Sequence, residues 1–543
     1  MPTETCTQPA PGDPVLLILH TFKYEDMTIA SRRKFLRNGF AGTTGLLVAG
    51  NLPVSGMTVP REKEFNILDY GARADGKTLN TEAIQKAIDA CTAGGGGRVV
   101  VPEGTFLTGA LVIKTGVELH LSEGAMILGS PYMKDYVEYW PLSEVRYSNY
   151  LRYALVFAQG ARDISVTGTG TLNGNSEKGG ELGEFAGPGG ELLHVHQRPC
   201  LLWFDECENI LIKEITYKNA AGWTETYSRC RNIHVDGIKV TENYFFNADG
   251  CNMLDCDYFI IENCDINTLD DGICLKGYTQ EGVRHGIIRN NRVRSICNGI
   301  KMGTDSSGGF RDILIENNHV WQTAISGIAL EITDGGVMEN VTVRNITMDV
   351  VGTPIFVMLS NRNRSVFGEL TVPSGAIRNV YIGNIKATVD RAQRFNDMER
   401  RHFMNLIVHT SSITGFPEND VEKITIENVD ITVLGGFPEQ GAEASLRPIP
   451  EAGRNYPENR MFGILPSYGF YIRHVRDLQM RNIRVAIEQE DGRPAFMLDD
   501  VKDSVFEDVS VESLTPTPAF ALMPNCKGIT ADLDTAGAIT ADQ

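Results

Sequence analysis

From about residue 160 the chain repeats one phrase: a polar pair, then β-branched and polar positions in alternation. It reads "RDISVTGTG" at Arg162, "ENILIKEITYKNA" at Glu208, "RNIHVDGIKVTEN" at Arg231, "DYFIIENCDINTL" at Asp257 and "HGIIRNNRVRSI" at His285. It continues as "RDILIENNHVWQT" at Arg311, "ENVTVRNITMDV" at Glu339, "RNVYIGNIKATV" at Arg378, "EKITIENVDITV" at Glu422, "RDLQMRNIRVAI" at Arg476 and "KDSVFEDVSVES" at Lys502. Between Glu208 and Glu339 the spacings are 23, 26, 28, 26 and 28 residues; later gaps stretch to 39, 44 and 54, with one return to 26. Alternation gives each short strand one buried face. A period in the twenties, with no helix between strands, predicts a solenoid. Asn at a fixed place in each copy suits a turn, because Asn tolerates left-handed backbone and stacks in ladders between coils. The pattern therefore predicts an all-β fold, a right-handed parallel β-helix of about ten coils. A leucine-rich repeat is the competing solenoid, and its leucine frame is absent. The long gaps after Val350 predict loops on one face.

The segment before the repeats reads as a cap. "TEAIQKAIDACTAGGGG" (Thr81 to Gly97) predicts a helix with Ile84, Ala87, Ile88 and Cys91 on one face, ended by glycines. Solenoids need such a cap to hide their first coil. The following "RVVVPEGTFLTGALVIKTGVELHLSEGAMILGS" reads as strand, turn, strand.

Composition narrows the function. The 543 residues carry a net charge of −19, which argues against nucleic acid or an anionic membrane as partner. An acidic sugar is still compatible, because a local basic pocket can sit on an acidic surface. The 55 glycines suit a turn-rich β protein. Eleven cysteines, with no zinc-like pairing, read as small buried hydrophobes, among them Cys230, Cys256, Cys264 and Cys274; one or two bridges stay open.

At the start of the chain, "SRRKFLRNGFAGTTGLLVAG" (Ser31 to Gly50) has twin arginines, Arg32 and Arg33, before a mildly apolar stretch. This resembles a twin-arginine export signal, too short for a convincing transmembrane span. The 26 residues before Met27 do not suit a signal's charged head, so Met27 is the expected start and cleavage is expected within residues 50–60. The expected organisation is residues 1–60 as extension and signal and 61–543 as one β-helix domain. Export would place the mature chain in the periplasm or outside the cell.

Three carboxylates stand out when the copies are aligned. Asp249 lies in "FFNADGCNM", and Asp270 and Asp271 lie in "NTLDDGICL", about one coil on. Coils stack about 4.8 Å apart, so the three acids are expected on one exterior, solvent-reachable patch. The next coil adds Asn298 and Lys301, and the one after it Glu331 and Asp334. Clustered carboxylates can bind calcium, hydrolyse glycosides or simply solvate a surface.

"NAD" (Asn247 to Asp249), "DDG" (Asp270 to Gly272), "FNILDYGARADGKTLNTEAIQKAID", "VPEGTFLTGALVIKTGVELHLSEGAMILGS", "MFGILPSYGFYIRHV" and "GRPAFMLDDV" together resemble glycoside hydrolase family 28, polygalacturonases and rhamnogalacturonan hydrolases, in its bacterial branch. The resemblance spans about residues 64–515. It implies an inverting hydrolase without metal or cofactor. Asp270 matches the general acid, and Asp249 and Asp271 match the pair that activates water. Close like charges push one pKa up, so that group keeps its proton.

Two departures bear on the substrate. Asn298, in "CNG", stands where typical polygalacturonases carry histidine, and it cannot take up a proton near neutrality. "ALEIT" puts Leu330 and Glu331 where an Arg-Ile-Lys motif grips the substrate carboxylate, and Glu331 is expected to repel a uronate. A neutral sugar such as rhamnose on one side of the cut fits these changes. Candidate substrate contacts are Asn247, Asn298, Lys301, Glu331, Lys276, Arg198, Arg362 and Arg473. Candidate sugar platforms are Trp223, Tyr227, Tyr468 and Tyr471. Among the histidines, His474 is a better candidate than His402 or His409. The substrate is expected to be a polysaccharide or oligosaccharide. A β-helix polysaccharide lyase, using Lys276 or Lys301 as base, and a glycan-binding β-helix without activity are the alternatives.

Overall fold

The computed structural model describes residues 63–139, 151–185, 198–243, 245–362, 375–390, 410–437, 449–451, 453, 455–514, 519–523, 525–533 and 539–540. The expected export signal, Met27, His402, His409 and most of the long insertions after Val350 lie outside these residues. The chain winds as a right-handed parallel β-helix. Each coil visits three faces in turn. One face stacks Cys200–Asp205, Glu225–Ser228, Cys251–Leu254, Ile273–Gly277 and Ile300–Ser306, all parallel. The second stacks Glu208–Lys213, Arg231–Asp236, Asp257–Glu262, Val283–Arg289 and Phe310–Glu316. The third stacks Thr216–Lys218, Lys239–Thr241, Asp265–Thr268 and Arg292–Ser295. Coils begin well before the first repeat legible in the sequence: Glu64–Asn66 pairs with Gly97–Val101, which pairs with Val117–Leu121.

The repeated phrase has a backbone cause. The second residue of its polar pair takes a left-handed conformation in copy after copy: Asp163, Asn209, Asn232, Tyr258, Asp312, Asn340, Asn379, Lys423, Asp477 and Asp503, with His285, preceded by Arg284, doing the same in its copy. Asn and Asp bear this conformation at least cost. A second left-handed corner falls on Asn317, Asn345, Asn384, Asn428 and Asn482, whose side-chain amides form a ladder of Nδ2–H to Oδ1 hydrogen bonds of 2.8–3.0 Å along the axis.

Inside the coils the alternating residues make one continuous apolar core. Each fully buried Ile, Val, Leu or Phe contributes about 1.5–3 kcal/mol. Sizes are matched between rungs: Phe259 points inward, and on the next rung Gly286 leaves room, since a Cβ there would sit 2.1 Å from the Phe259 ring. The helix α1 (Thr81–Ala93) buries Ile84, Ala87, Ile88 and Cys91 over the first coils, as the spacing predicts. The described cysteines form no disulfide and, Cys526 aside, are buried. Among the described residues no helix is long and apolar enough to cross a membrane.

Candidate active site

Strand register decides which acids face each other. Gly250 N donates to Asp271 O, Gly272 N to Asn298 O and Gly299 N to Ser326 O. In a parallel ladder this aligns Gly250, Gly272, Gly299 and Gly327, and puts Asp249, Asp271, Asn298 and Ser326 in the column just before them. Asp249 therefore stands above Asp271, a choice between Asp270 and Asp271 that the sequence spacing leaves open. The glycines are steric necessities: a Cβ on Gly272 would lie 2.3 Å from Val293 Cγ1 and 2.5 Å from Gly299 O. The backbones of adjacent turns come this close so that the preceding side chains leave the coil outward.

The three acids are brought together, but they are not open to solvent as expected. Asp249 and Asp271 are only 3% and 4% exposed, and Asp270 is intermediate. What covers them is polar and lies outside the coil. Asp271 accepts from Asn298 Nδ2 at 2.8 Å and faces Lys301 Nζ at 3.4 Å. Asp249 faces Lys276 Nζ at 3.7 Å, and that ammonium lies 5.2 Å from the Trp223 ring centre. Asp270 accepts from Asn247 Nδ2 at 3.3 Å and from the Asp271 N–H at 2.8 Å. Asn247 has a left-handed backbone and is held by Arg198, which donates to its side-chain oxygen at 3.2 Å and to Ala221 O and Phe246 O. Ser295 donates to the Asp270 carbonyl and accepts from Cys297 N.

These surroundings split the three carboxyls. Burial raises Asp249 well above the ordinary range, and Asp270 adds to the effect. Burial, then the Asp271 charge, pushes Asp270 up to about 6. Burial alone would raise Asp271 too, but Lys301, Lys276 and the Asn298 amide outweigh it and hold it below the usual range. Burial alone would lower the two lysines, yet both are held above the ordinary ammonium range by the acidic groups around them, Lys301 chiefly by Asp271. The site thus sets one readily ionised carboxylate beside two carboxyls that bind their protons more tightly than usual.

The other expected contacts divide. Glu331 lies in this cluster, 1% exposed. Arg362 is pinned by Asp334 through two hydrogen bonds and donates to Thr304 O at 2.9 Å. Arg473 is held by Glu451, by Asp499 at 3.1 Å and by Ile449 O at 2.9 Å. It shares a column with Glu331 but lies three rungs away, about 14 Å along the axis, so it is not part of the acid cluster. His474 sits in a separate network with Asp500, Asp420 and Lys502. The expected platforms are corrected: Tyr227 and Tyr468 belong to the interior core, Tyr471 packs among Phe356, Met358 and Phe462, and Trp223 is buried under Lys276. The sequence reading missed Tyr456 and Glu458. The Tyr456 ring lies over Lys301 and Arg362, and Glu458 adds a partly neutralising acid beside Lys301. Their only signal was the 54-residue gap that contains them.

Two sets of donors here are close enough for an ion, Asp249 with Asp271 and Cys274, and Asp270 with Asp271 and Cys297. Lys276 and Lys301 already balance the same carboxylates, so the charge a divalent ion would supply is built into the chain. In the third such set, Asp420, His474 and Asp500, Lys502 and Arg476 play that part.

The family model "Glycosyl hydrolases family 28" matches residues 91–433, which include all three acids. The chain belongs to glycosyl hydrolases family 28. Its curated relatives include an exo-poly-alpha-D-galacturonosidase of Dickeya chrysanthemi, 26% identical over 57% of this chain and 58% of the relative. A probable polygalacturonase of Vitis vinifera is 29% identical over 53% of this chain and 61% of the relative. The chain thus spans about three fifths of the length of these curated relatives. Among solved structures, the Yersinia enterocolitica family 28 exopolygalacturonase superposes with a TM-score of 0.61 at 21% identity, covering 83% of this chain and 79% of that one. The Thermotoga maritima exopolygalacturonase gives 0.56 at 23%, with 78% and 92% covered. Both have the same fold.

Proposed function

We propose that the chain is an inverting glycoside hydrolase that cuts a pectic, uronate-containing polysaccharide or oligosaccharide. The observation that carries this reading is the meeting of three carboxyls in unlike surroundings: Asp271 beside Lys301 and Asn298, Asp270 beside Asn247, and Asp249 stacked on Asp271. Asp270, with its proton held up to about 6, is the general acid for the leaving oxygen. Asp271, ionised beside Lys301 and Asn298, takes the proton of the attacking water. Asp249, stacked on Asp271 and keeping its own proton, orients that water. Arg198 acts through Asn247 to fix Asp270. The names of the relatives, which are polygalacturonases, support the substrate class.

The lyase reading loses its base: Lys276 and Lys301 both hold their protons against carboxylates, and an ammonium cannot abstract one. Release of reducing ends from pectic backbones, without ultraviolet-absorbing unsaturated products, is the expected result. Asp270→Asn should lower that release about 10²–10⁴-fold; unchanged release would refute the assignment, and no release by the wild type from any pectic or rhamnose-containing glycan would favour a glycan-binding role. The twin-arginine segment supports export in the folded state, which suits a core whose cysteines need no oxidation. Replacing Arg32 and Arg33 by Lys should leave the protein in the cytoplasm.

A further inference from the structure

Residues 449–451 and 455–465 lie as a strap over the outside of the face that carries the acids. Its downstream foot is planted on the acid column itself. Thr353 aligns with Ser326, one rung further along the column of Asp249, Asp271 and Asn298. The buried Asn459 donates its amide to the Thr353 hydroxyl. Just beyond, Phe462 and Leu465 pack with Tyr471 in an apolar cluster, and Arg493 donates to Leu465 O at 3.1 Å. At the upstream foot Ile449 joins the same cluster, and charge does the rest. Arg473 donates to Ile449 O at 2.9 Å and pairs with the Glu451 carboxylate, while Asp499 steadies its guanidinium at 3.1 Å. His474 Nε2 stands 3.4 Å from the same Glu451 carboxylate. Between the two feet the strap sets the Tyr456 ring over Lys301, 5.5 Å from its Nζ, and brings Glu458 beside it.

Distance makes the upstream grip matter. Four rungs separate Arg473 from Lys301, about 19 Å. The five peptide steps from Glu451 to Tyr456 cover at most about 18 Å. Main chain alone does not bridge that span, so the long side chains at both ends make up the rest and the link has little slack. A shift of Glu451 is therefore passed on to Tyr456. An isolated ion pair with one exposed partner would hold little, but Arg473 is fixed from three sides at once. We propose that Arg473 is a positioning residue: by holding Ile449 and Glu451 it keeps Tyr456 and Glu458 against Lys301, which in turn faces Asp271 at 3.4 Å. This rests on the acid cluster being the cleavage site. The strap shields the Lys301–Asp271 pair from water, and charges act on each other more strongly where water is excluded. Arg473 touches none of the reacting groups; its effect travels through the strap.

A double-mutant cycle tests this. On polygalacturonate, with reducing ends as the readout and folding checked by circular dichroism, Arg473→Met should lower kcat/KM at least fivefold. Arg473→Lys, which keeps a cation beside Glu451, should recover part of the loss. In a Tyr456→Ala/Glu458→Gln background Arg473→Met should cost less than twofold, because the groups the strap carries are already gone. Limited trypsin digestion reads the strap without activity: cutting after Arg454 or Arg460 should speed up at least fivefold in Arg473→Met. A merely structural role would cost the same factor in both backgrounds, and that outcome overturns the proposal. Unchanged cutting of the strap, or full activity of the Tyr456→Ala/Glu458→Gln protein, overturns it too. The wider reading is scored separately, by reducing-end release from the wild type. A protein that cuts no pectic glycan, yet loosens its strap in Arg473→Met, would keep the fastening and lose the catalytic role.

Discussion

Glu225 and Asp271 lie two rungs apart on the same face, both almost wholly buried, and differ in the direction they point. Glu225 aligns with Leu202 and Cys251 at an inward position. Its one hydrogen-bond partner among the described residues is the Tyr227 hydroxyl, and Glu225 Oε2 has none. Burial pushes it up to about 8. Asp271 leaves the coil outward, meets two ammonium groups and an amide, and is held low. Burial alone therefore does not set the charge of a carboxyl. The partners outside the coil do, and the glycine column gives them access.

The largest break of this comparison is at the outward acid. Asp271→Asn should cut turnover about 10²–10⁴-fold, whereas Glu225→Gln should leave turnover intact; steady-state rates on both variants, checked for folding by circular dichroism, decide it. Next in size is the glycine beneath the site. Gly272→Ala forces a methyl against Val293 and the Gly299 carbonyl, and should cost about 1–3 kcal/mol of stability in denaturant titrations. It should also lower activity by displacing Asp271.

The two acids also separate by pH. Glu225 binds its proton more tightly folded than unfolded, because its pKa rises from 4.5 to about 8. The stability it contributes is complete below pH 4.5 and is lost as pH rises toward 8, on the order of 5 kcal/mol. Glu225→Gln should flatten that part of a stability-versus-pH curve. Catalysis should respond elsewhere: kcat/KM should fall as pH rises through about 6, where Asp270 loses its proton, and Glu225→Gln should not move that limb. The smallest effect is expected far from both acids, at Asn428→Ala. That change breaks two rungs of the Asn ladder and should cost about 1 kcal/mol with no change in rate.

The sequence carried the coil because the coil is local: most left-handed corners fall on Asn or Asp, and each strand needs alternation. The helix over 81–93 was legible for the same reason. The pairing of Asp249 with Asp271 was not, since a 21- and a 22-residue spacing read alike until hydrogen bonds set the register. Glu225 went unnoticed because "WTETYS" alternates polar with polar, so nothing in it tells inward from outward. Tyr227, Tyr468 and Tyr471 failed as platforms on that point as well. The places of Tyr456 and Glu458 depend on chain distant in sequence, folded back over the acids.

The central claim is that Asp270 and Asp271 hydrolyse the glycosidic bond by a single displacement. Proton NMR of the first sugar released from an α-linked galacturonate oligomer tests it directly. The account predicts that the β-anomer forms first and then mutarotates. An α-anomer as the initial product would mean retention, and would contradict it.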